Sequence, residues 1–373
     1  MAYRRLIVIF FPLLLQADSF EDYKAKQEKA FKNKKLKFID FKKQEDAAFN
    51  TYLKKEKDAI KAYEKQVSAL WPQNDLQDAK KLTNYSKDLQ TKTMIDFEKN
   101  QIVISTKHKV SKNDLLKKLD ETLSLTSEKA YAQNNLEQKI KALSAPSKYI
   151  KTSALNPQPL LLKKVDHLRS EKAYITQDGG GKKLTYSLPK DATYKRSFNY
   201  LRAAKSNAIR FNVSAEILLA IMHSESSFNP MARSHIPAFG LMQIVPKSAG
   251  IDSYKFLYKK RRLLSASYLY NTTNNIEIGS AYFHILYYKY LASIKNPQSR
   301  LYCAIAGYNT GAGNVAWAFV HNNNVKKASK RINKMSPQEV YNHLLKNLKY
   351  DEPKHYLKRV RQRSIRYKRL YRL

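Results

Sequence analysis

The sequence predicts a mainly α protein, with an α-rich C-terminal part preceded by a smaller α+β part. Three observations predict it. Aromatic residues recur at helical spacing from Phe20 to Tyr52. Between residues 101 and 188, a β-branched run and two short runs around a glycine triplet read as strands. From about residue 191 onward the pattern is helical almost throughout, with Pro and Gly as punctuation. With 373 residues and 43% hydrophobic content, the chain can form two domains with packed cores. The expected division is 1–17 as a signal peptide, 18–190 as an α+β accessory domain, and 191–373 as an α-rich domain.

The first residues read as a targeting segment. Arg4 and Arg5 give a positive start, and Leu6 to Leu15 form an apolar run too short for a comfortable membrane span. Ala17 offers a small residue for cleavage, although Leu15 is bulky for its place. Cleavage and export to the periplasm are expected, with retention at the inner membrane if the signal is uncleaved. Cys303 is the single cysteine, so no internal disulfide, cysteine metal cluster or lipoprotein anchor is expected.

Each element follows from local pattern. Phe20, Tyr23, Phe31, Phe38, Phe41, Phe49 and Tyr52 form a helical stripe among Lys, Glu and Gln, predicting one long helix or a helical hairpin over about 20–70. The stripe is expected to pack on the rest of its own domain. Trp71-Pro72 ends it. Gln101–Thr106 reads as a strand and residues 111–143 as helix. Ala145-Pro146, Asn156-Pro157 and Pro159 mark loops. Tyr174–Thr176 and Leu184–Leu188 flank Gly179, Gly180 and Gly181 as a hairpin. The triplet is not a phosphate loop, because no Gly-Lys-Ser/Thr and no helix follow it. Arg359–Leu373 is strongly basic and reads as a surface helix or tail.

The chemistry concentrates after 210. Ser214 is a plausible N-cap for a helix ending at Glu225. Ile217, Ile221 and Glu225 share a face, flanked by Leu218 and Met222. A carboxylate on an apolar face is costly to ionise, so its pKa should rise, and it can then donate a proton near neutrality. The competing reading is a Glu turned out to solvent at the helix end. Only Asp191, Glu216, Glu225, Asp252, Glu277, Glu339, Asp351 and Glu352 are acidic in this part, so candidates for a second hydrolytic carboxylate are few. Glu277, in Asn275–Gly279, reads as a helix-start residue. Asp351 and Glu352 read as part of a Pro-containing turn near Tyr356. Gly240–Ile244 and the small-residue stretch Ala304–Gly313, which carries Tyr308 and Asn309, suit either close backbone approach to a sugar or a tight helix contact.

In order, these segments resemble the lytic transglycosylase family with the lysozyme-like catalytic domain. The motifs are Glu225-Ser-Ser-Phe-Asn-Pro-Met-Ala-Arg-Ser234 with Gly240-Leu-Met-Gln-Ile244, then Asn275–Gly279 with Ala281-Tyr282, then Ala306–Gly311, then Asp351–Tyr356 with Val360. Trp71-Pro72, Asn84–Leu89 and Asp96–Glu98 carry a weaker resemblance to the accessory domain of the membrane-bound murein transglycosylase C subgroup. The resemblance implies a lysozyme-like fold and cleavage of the β-1,4 bond between N-acetylmuramic acid and N-acetylglucosamine without water as nucleophile. It implies Glu225 as acid and then base, 1,6-anhydromuramyl ends as product, and Ser234, Gln243, Tyr308, Asn309, Glu352 and Tyr356 as cleft residues. Gly307 and Thr310 depart from the family's alanines, and Pro353 from its threonine, which leaves the geometry of the last motif open. The subgroup's lipoprotein cysteine is absent.

No cofactor is implied, and the eight histidines show no paired ligand spacing, so no metal is expected. The charge of +38 calls for an anionic partner. Export argues against nucleic acid, which leaves peptidoglycan glycan strands and envelope or cell-wall complexes. A goose-type lysozyme-like hydrolase and a non-enzymatic wall-binding scaffold are the alternatives.

Overall fold

The computed structural model describes residues 18–72, 75–143, 149–150, 155–161, 173–178 and 180–373. The expected signal segment and Gly179 lie outside the described residues. In chain order the elements are α1 (Asp18–Ser68), β1 (Lys81–Tyr85), β2 (Thr91–Asp96), β3 (Gln101–Thr106), α2 (Lys112–Leu123), α3 (Ser127–Gln133), α4 (Asn135–Lys141), β4 (Tyr149–Ile150), β5 (Ala173–Asp178) and β6 (Gly181–Ser187). The C-terminal part continues with α5 (Ala192–Phe211), α6 (Ala215–Ser226), α7 (Ile251–Tyr258), β7 (Leu263–Leu264), α8 (Ala266–Tyr270), α9 (Thr272–Ile285), α10 (Pro297–Thr310), α11 (Ala312–Val320), α12 (Val325–Ile332), α13 (Pro337–Asn347) and α14 (Asp351–Tyr371). The protein is mainly α, with a small sheet region.

Packing divides the chain inside α1, between Lys57 and Asp58. In the first unit the aromatic stripe packs only in part: Tyr23, Phe31, Phe38 and Phe41 are exposed, Phe31 by 71%, whereas Phe49 is buried. Helical spacing aligns these rings on one face, and α1 is the only described element of that unit.

In the second unit, the end of α1 buries Tyr63 and Val67 against Trp71, Tyr85, Leu136 and Ile140. The sheet has order β1-β2-β3-β6-β5, antiparallel throughout. Register pairs Ile102 with Tyr186 and Ile104 with Leu184, and all four are buried. Gly181 opens β6 because a Cβ there would lie 1.8 Å from the Thr106 carbonyl oxygen. Strands β1 and β2 escape sequence reading: their lysines and threonines mask an alternation that buries only Leu82 and Ile95 as large aliphatics.

The element type changes near 190, yet one apolar core runs from Leu82 through Tyr186, Leu188, Ala192 and Tyr200 to Tyr367. Helix α6 lies at the centre of this core. It is buried nearly all round, from Ile217 to Met222, rather than along one stripe. Helix α14 packs along α6. Its basic sequence conceals an apolar face of Leu357, Val360 and Tyr367, so Arg359–Leu373 is neither a tail nor a free surface helix. Cys303, in α10, is fully buried.

Candidate active site

Glu225 is the penultimate residue of α6, whose N-cap position is Ser214. The helix stops because Ser227 and Phe228 both take left-handed backbone angles, with φ of 51° and 63°. That double turn sends the chain back toward the core, where Phe228 stacks on Tyr200.

The Glu225 side chain is half-buried, and protein surrounds it closely enough to raise its pKa to about 7. Burial is the main cause; Tyr356, Lys80 and Arg359 pull the other way, and Glu352 adds to the rise. The Tyr356 hydroxyl lies beside the Glu225 carboxyl, buried, and makes no hydrogen bond of regular geometry within the protein. The Tyr308 hydroxyl donates to the Met242 carbonyl at 2.9 Å and feels the Glu225 charge, which together with burial raises its pKa well above the usual range.

The Gly240–Ile244 loop is pinned from three helices. From α6, Ser226 Oγ donates to the Leu241 carbonyl at 2.8 Å. From α10 comes Tyr308. From α9, Asn275 Oδ1 accepts from Met242 N at 2.8 Å, while its Nδ2 donates to the Phe239 and Leu269 carbonyls, both at 2.8 Å. Gly240 has φ +75°, and a Cβ there would lie 2.3 Å from Asn275 Nδ2. Gly279 leaves room for the Met242 sulfur, which a Cβ would meet at 2.4 Å. The glycines of two motifs thus serve one loop.

The other expected residues fall as follows. Gln243 is half-buried with φ 46°, and its amide donates to the Ala232 and Gly240 carbonyls, so it braces the loop. Ser234 is half-buried and its hydroxyl donates to the Ile236 carbonyl in its own turn. Asn309 is half-buried in the last turn of α10, next to Tyr308. Glu352 is exposed and paired with Arg359 at 3.1 Å. The structure therefore brings Tyr308, Tyr356 and Glu352 into electrostatic reach of Glu225, while Ser234 and Gln243 are engaged in the loop.

Two readings are corrected. Glu277 is not a helix-start residue. Asn271 caps α9 by accepting from Asn274 N at 3.1 Å, and Glu277, inside the helix, binds Arg210 and Tyr258. Asp351–Tyr356 is not a turn but the start of α14, and Pro353 sits in its first turn, where a missing N–H costs no helical bond. Gly307 is not sterically required, since a Cβ would meet only ordinary contacts at 3.5 Å or more.

Residues outside the motifs complete the surroundings. Glu137 of α4, almost fully buried, pairs with Arg233 at 2.9 Å and accepts from Tyr270 at 2.7 Å and Gln77 at 2.6 Å. Arg196 of α5 donates to the Phe97 carbonyl at 2.6 Å, to Asn100 at 2.9 Å and to the Ser227 carbonyl at 3.3 Å. No sequence signal pairs such residues across the chain, although an Arg inside the helical pattern at Ala192–Phe211 is a place to look. Among the described residues no cluster of His, Cys, Asp or Glu could hold a metal ion.

Comparison with known proteins fits this geometry. Residues 202–331, which contain α6, the pinned loop and Tyr308, match the Transglycosylase SLT domain. Residues 31–149 match the N-terminal domain of membrane-bound lytic murein transglycosylase C. The class is thus a lytic transglycosylase, an enzyme class that acts on murein. Among relatives named membrane-bound lytic murein transglycosylase C, that of Photorhabdus laumondii is 33% identical over 293 residues, 75% of this chain and 80% of its own. Those of Klebsiella pneumoniae and Yersinia pestis are 40% and 42% identical. Their alignments cover 50% and 47% of this chain, and the chain spans about half of their length, 51% and 48%. The chain belongs to the membrane-bound lytic murein transglycosylase C family. Among solved structures, the 70-kDa soluble lytic transglycosylase of Escherichia coli is 22% identical, covering 46% of this chain and 24% of that chain at a TM-score of 0.36. The complex of the 70-kDa soluble lytic transglycosylase with bulgecin A is 23% identical, covering 48% and 26% at 0.38.

Proposed function

We propose that the chain cleaves the β-1,4 bond between N-acetylmuramic acid and N-acetylglucosamine in peptidoglycan by intramolecular ring closure. The observation that carries this reading is the Glu225 carboxyl at the end of α6, closed in by protein beside Tyr356 and pushed up to about 7 by burial, so that it can hold a proton near neutrality. Glu225 gives its proton to the glycosidic oxygen as the bond from muramyl C1 breaks. The resulting carboxylate then takes the proton of the muramyl C6 hydroxyl as that oxygen bonds to C1. No water is consumed, and the product ends in a 1,6-anhydromuramyl ring.

The acid with the clearest electrostatic bearing on Glu225 is Glu352, which is exposed and paired to Arg359; this supports a lone acid and base over a hydrolytic carboxylate pair. Tyr356 and Tyr308 flank the reacting centre, and the half-buried Asn309 is assigned to the sugar. Ser234 and Gln243 act by shaping the loop. In this reading residues 191–373 carry the chemistry and 18–190 serve as the accessory part. The substrate is placed in the periplasm, reached through export by the N-terminal segment. The relatives are named as membrane-bound, and no described helix is long and apolar enough to cross a membrane.

Mass spectrometry of digested sacculi tests the reading. Anhydromuramyl ends are expected, and Glu225→Gln should cut their release by a factor of about 10² or more. Reducing ends in place of anhydro ends would overturn ring closure. Undiminished release by Glu225→Gln would overturn the acid assignment.

A further inference from the structure

Lys80 precedes β1, more than 140 residues before Glu225 in the chain. Its backbone is fixed twice: the Asp78 carboxylate accepts from Lys80 N at 2.6 Å and from Lys81 N at 2.7 Å, and Phe97 N donates to the Lys80 carbonyl at 2.9 Å. From that anchored position its side chain reaches the end of α6. The ammonium donates to the Ser224 carbonyl at 2.7 Å, the His223 carbonyl at 3.2 Å and Ser227 Oγ at 3.2 Å.

These partners are the last-turn carbonyls and the cap residue of a helix C-terminus, where a cation is favoured by the carbonyl dipoles; the His223 carbonyl also accepts from Ser227 N at 3.2 Å. They bracket Glu225 on both sides. An ammonium has three protons, and all three are committed. Lys80 therefore has no donor left for a sugar, and it acts on the reaction through the helix end and through its charge.

We propose that Lys80 is a positioning residue: from the N-terminal sheet region it locks the last turn of α6 and so fixes where Glu225 points. The proposal rests on the assignment of Glu225 as the acid. It gives the accessory part a direct role in catalysis, since the sheet region supplies a hold on the catalytic turn that α6 cannot supply for itself.

Charge follows from position. Lys80 holds the Glu225 carboxyl toward its ionised form, against burial. Burial lowers the pKa of Lys80 itself to about 8, offset in part by Glu98 and Glu225. Other ionisable groups bearing on this end of α6 are His223 on α6, Tyr194 and Arg196 on α5, Tyr308 on α10, and Glu352, Tyr356, Arg359, Arg363, Arg366 and Tyr367 on α14. His223 is pushed down to about 2, chiefly by burial and then by the arginines and Lys80, and stays neutral through the working range.

The test measures muropeptide release from sacculi between pH 5 and 9 for wild type, Lys80→Met, Lys80→Gln, Glu225→Gln and the exposed control Lys87→Met. Lys80→Met removes both donors and charge, whereas Lys80→Gln keeps an amide donor without the charge. Lys80→Met should lower kcat about tenfold or more with apparent KM changed less than about twofold, the mark of an interaction acting on the transition state. Both Lys80 variants should move the alkaline limb upward by about half a pH unit or more, because the charge that favours ionised Glu225 is gone. Lys80→Gln should keep more of kcat, and Lys87→Met should behave as wild type. Should Lys80→Met fail to fold, Lys80→Gln decides by the alkaline limb alone. Wild-type kcat and limb in the folded Lys80 variants, with Glu225→Gln inactive, would overturn the proposal alone. A raised KM at unchanged kcat would also overturn it, by making Lys80 a substrate contact. An active Glu225→Gln would instead overturn the underlying reading.

Discussion

Glu225→Gln should stabilise the protein at pH 8 and leave its stability nearly unchanged at pH 4. In the unfolded chain this carboxyl has a pKa of 4.5, and in the fold about 7. Below 4.5 both states hold the proton and the site contributes no penalty. As pH rises from 4.5 toward 7 the unfolded state ionises first, so native stability falls; above 7 the loss is complete. A rise from 4.5 to about 7 corresponds to about 3 kcal/mol. Because the side chain keeps partial access to solvent, a measurable loss of about 1–2 kcal/mol is expected. Gln is close in shape, cannot ionise and escapes the loss. Urea denaturation of both proteins at pH 4 and pH 8 gives the two differences. A gain of about 1–2 kcal/mol confined to pH 8 supports a desolvated acid. Equal differences at the two pH values would show that Glu225 is not desolvated, and the physical basis for a neutral-pH proton donor would be lost.

Tyr356→Phe should alter stability by less than about 1 kcal/mol, because the buried hydroxyl has only a loose contact with Glu225 and no hydrogen bond of regular geometry, yet should slow muropeptide release; a large loss in denaturation would contradict so loose a contact. Glu137→Gln removes the buried carboxylate that Arg233 meets at 2.9 Å and should cost about 3–5 kcal/mol in chemical denaturation; a loss under about 1 kcal/mol would remove this pair as a tie between α4 and the Arg233 segment. Gly240→Ala should lower Tm, since a Cβ there strikes Asn275 at a backbone angle suited to Gly, and an unchanged Tm would contradict the pinned loop. With +38 net charge, binding to sacculi should weaken steeply between low and high salt in a pull-down assay, and flat binding would remove the electrostatic reading.

The sequence carried the central helix, its ending at Ser226 and the carboxyl at its end, because these depend on short-range pattern: a cap, an apolar run and a stop. It also carried β3, whose β-branched run is dense, and the β5–β6 hairpin, which the glycines between its strands mark. Strands β1 and β2 were not legible, since their lysines and threonines blur the alternation. Glu277 misled because helix starts are set by the capping side chain, here Asn271, and not by the nearest acid. The stripe of α1 was legible as a helix but not as a surface, because spacing shows which residues share a face and not what covers it. Lys80, Arg196 and Glu137 could not be read at all: their partners lie far along the chain, and pairing at that range leaves no local trace.

Helix α14 has a consequence for the making of the protein. It supplies Tyr356 beside Glu225, Tyr367 on His223 at 2.9 Å and Arg363 on Ser224 at 2.9 Å. All three come after the other described elements in chain order. A nascent chain halted before α14 holds the complete acid helix yet lacks the wall that desolvates its carboxyl. Premature termination should therefore yield inert fragments rather than unregulated wall-cutting ones, and the cell would be spared damage from its own unfinished enzyme.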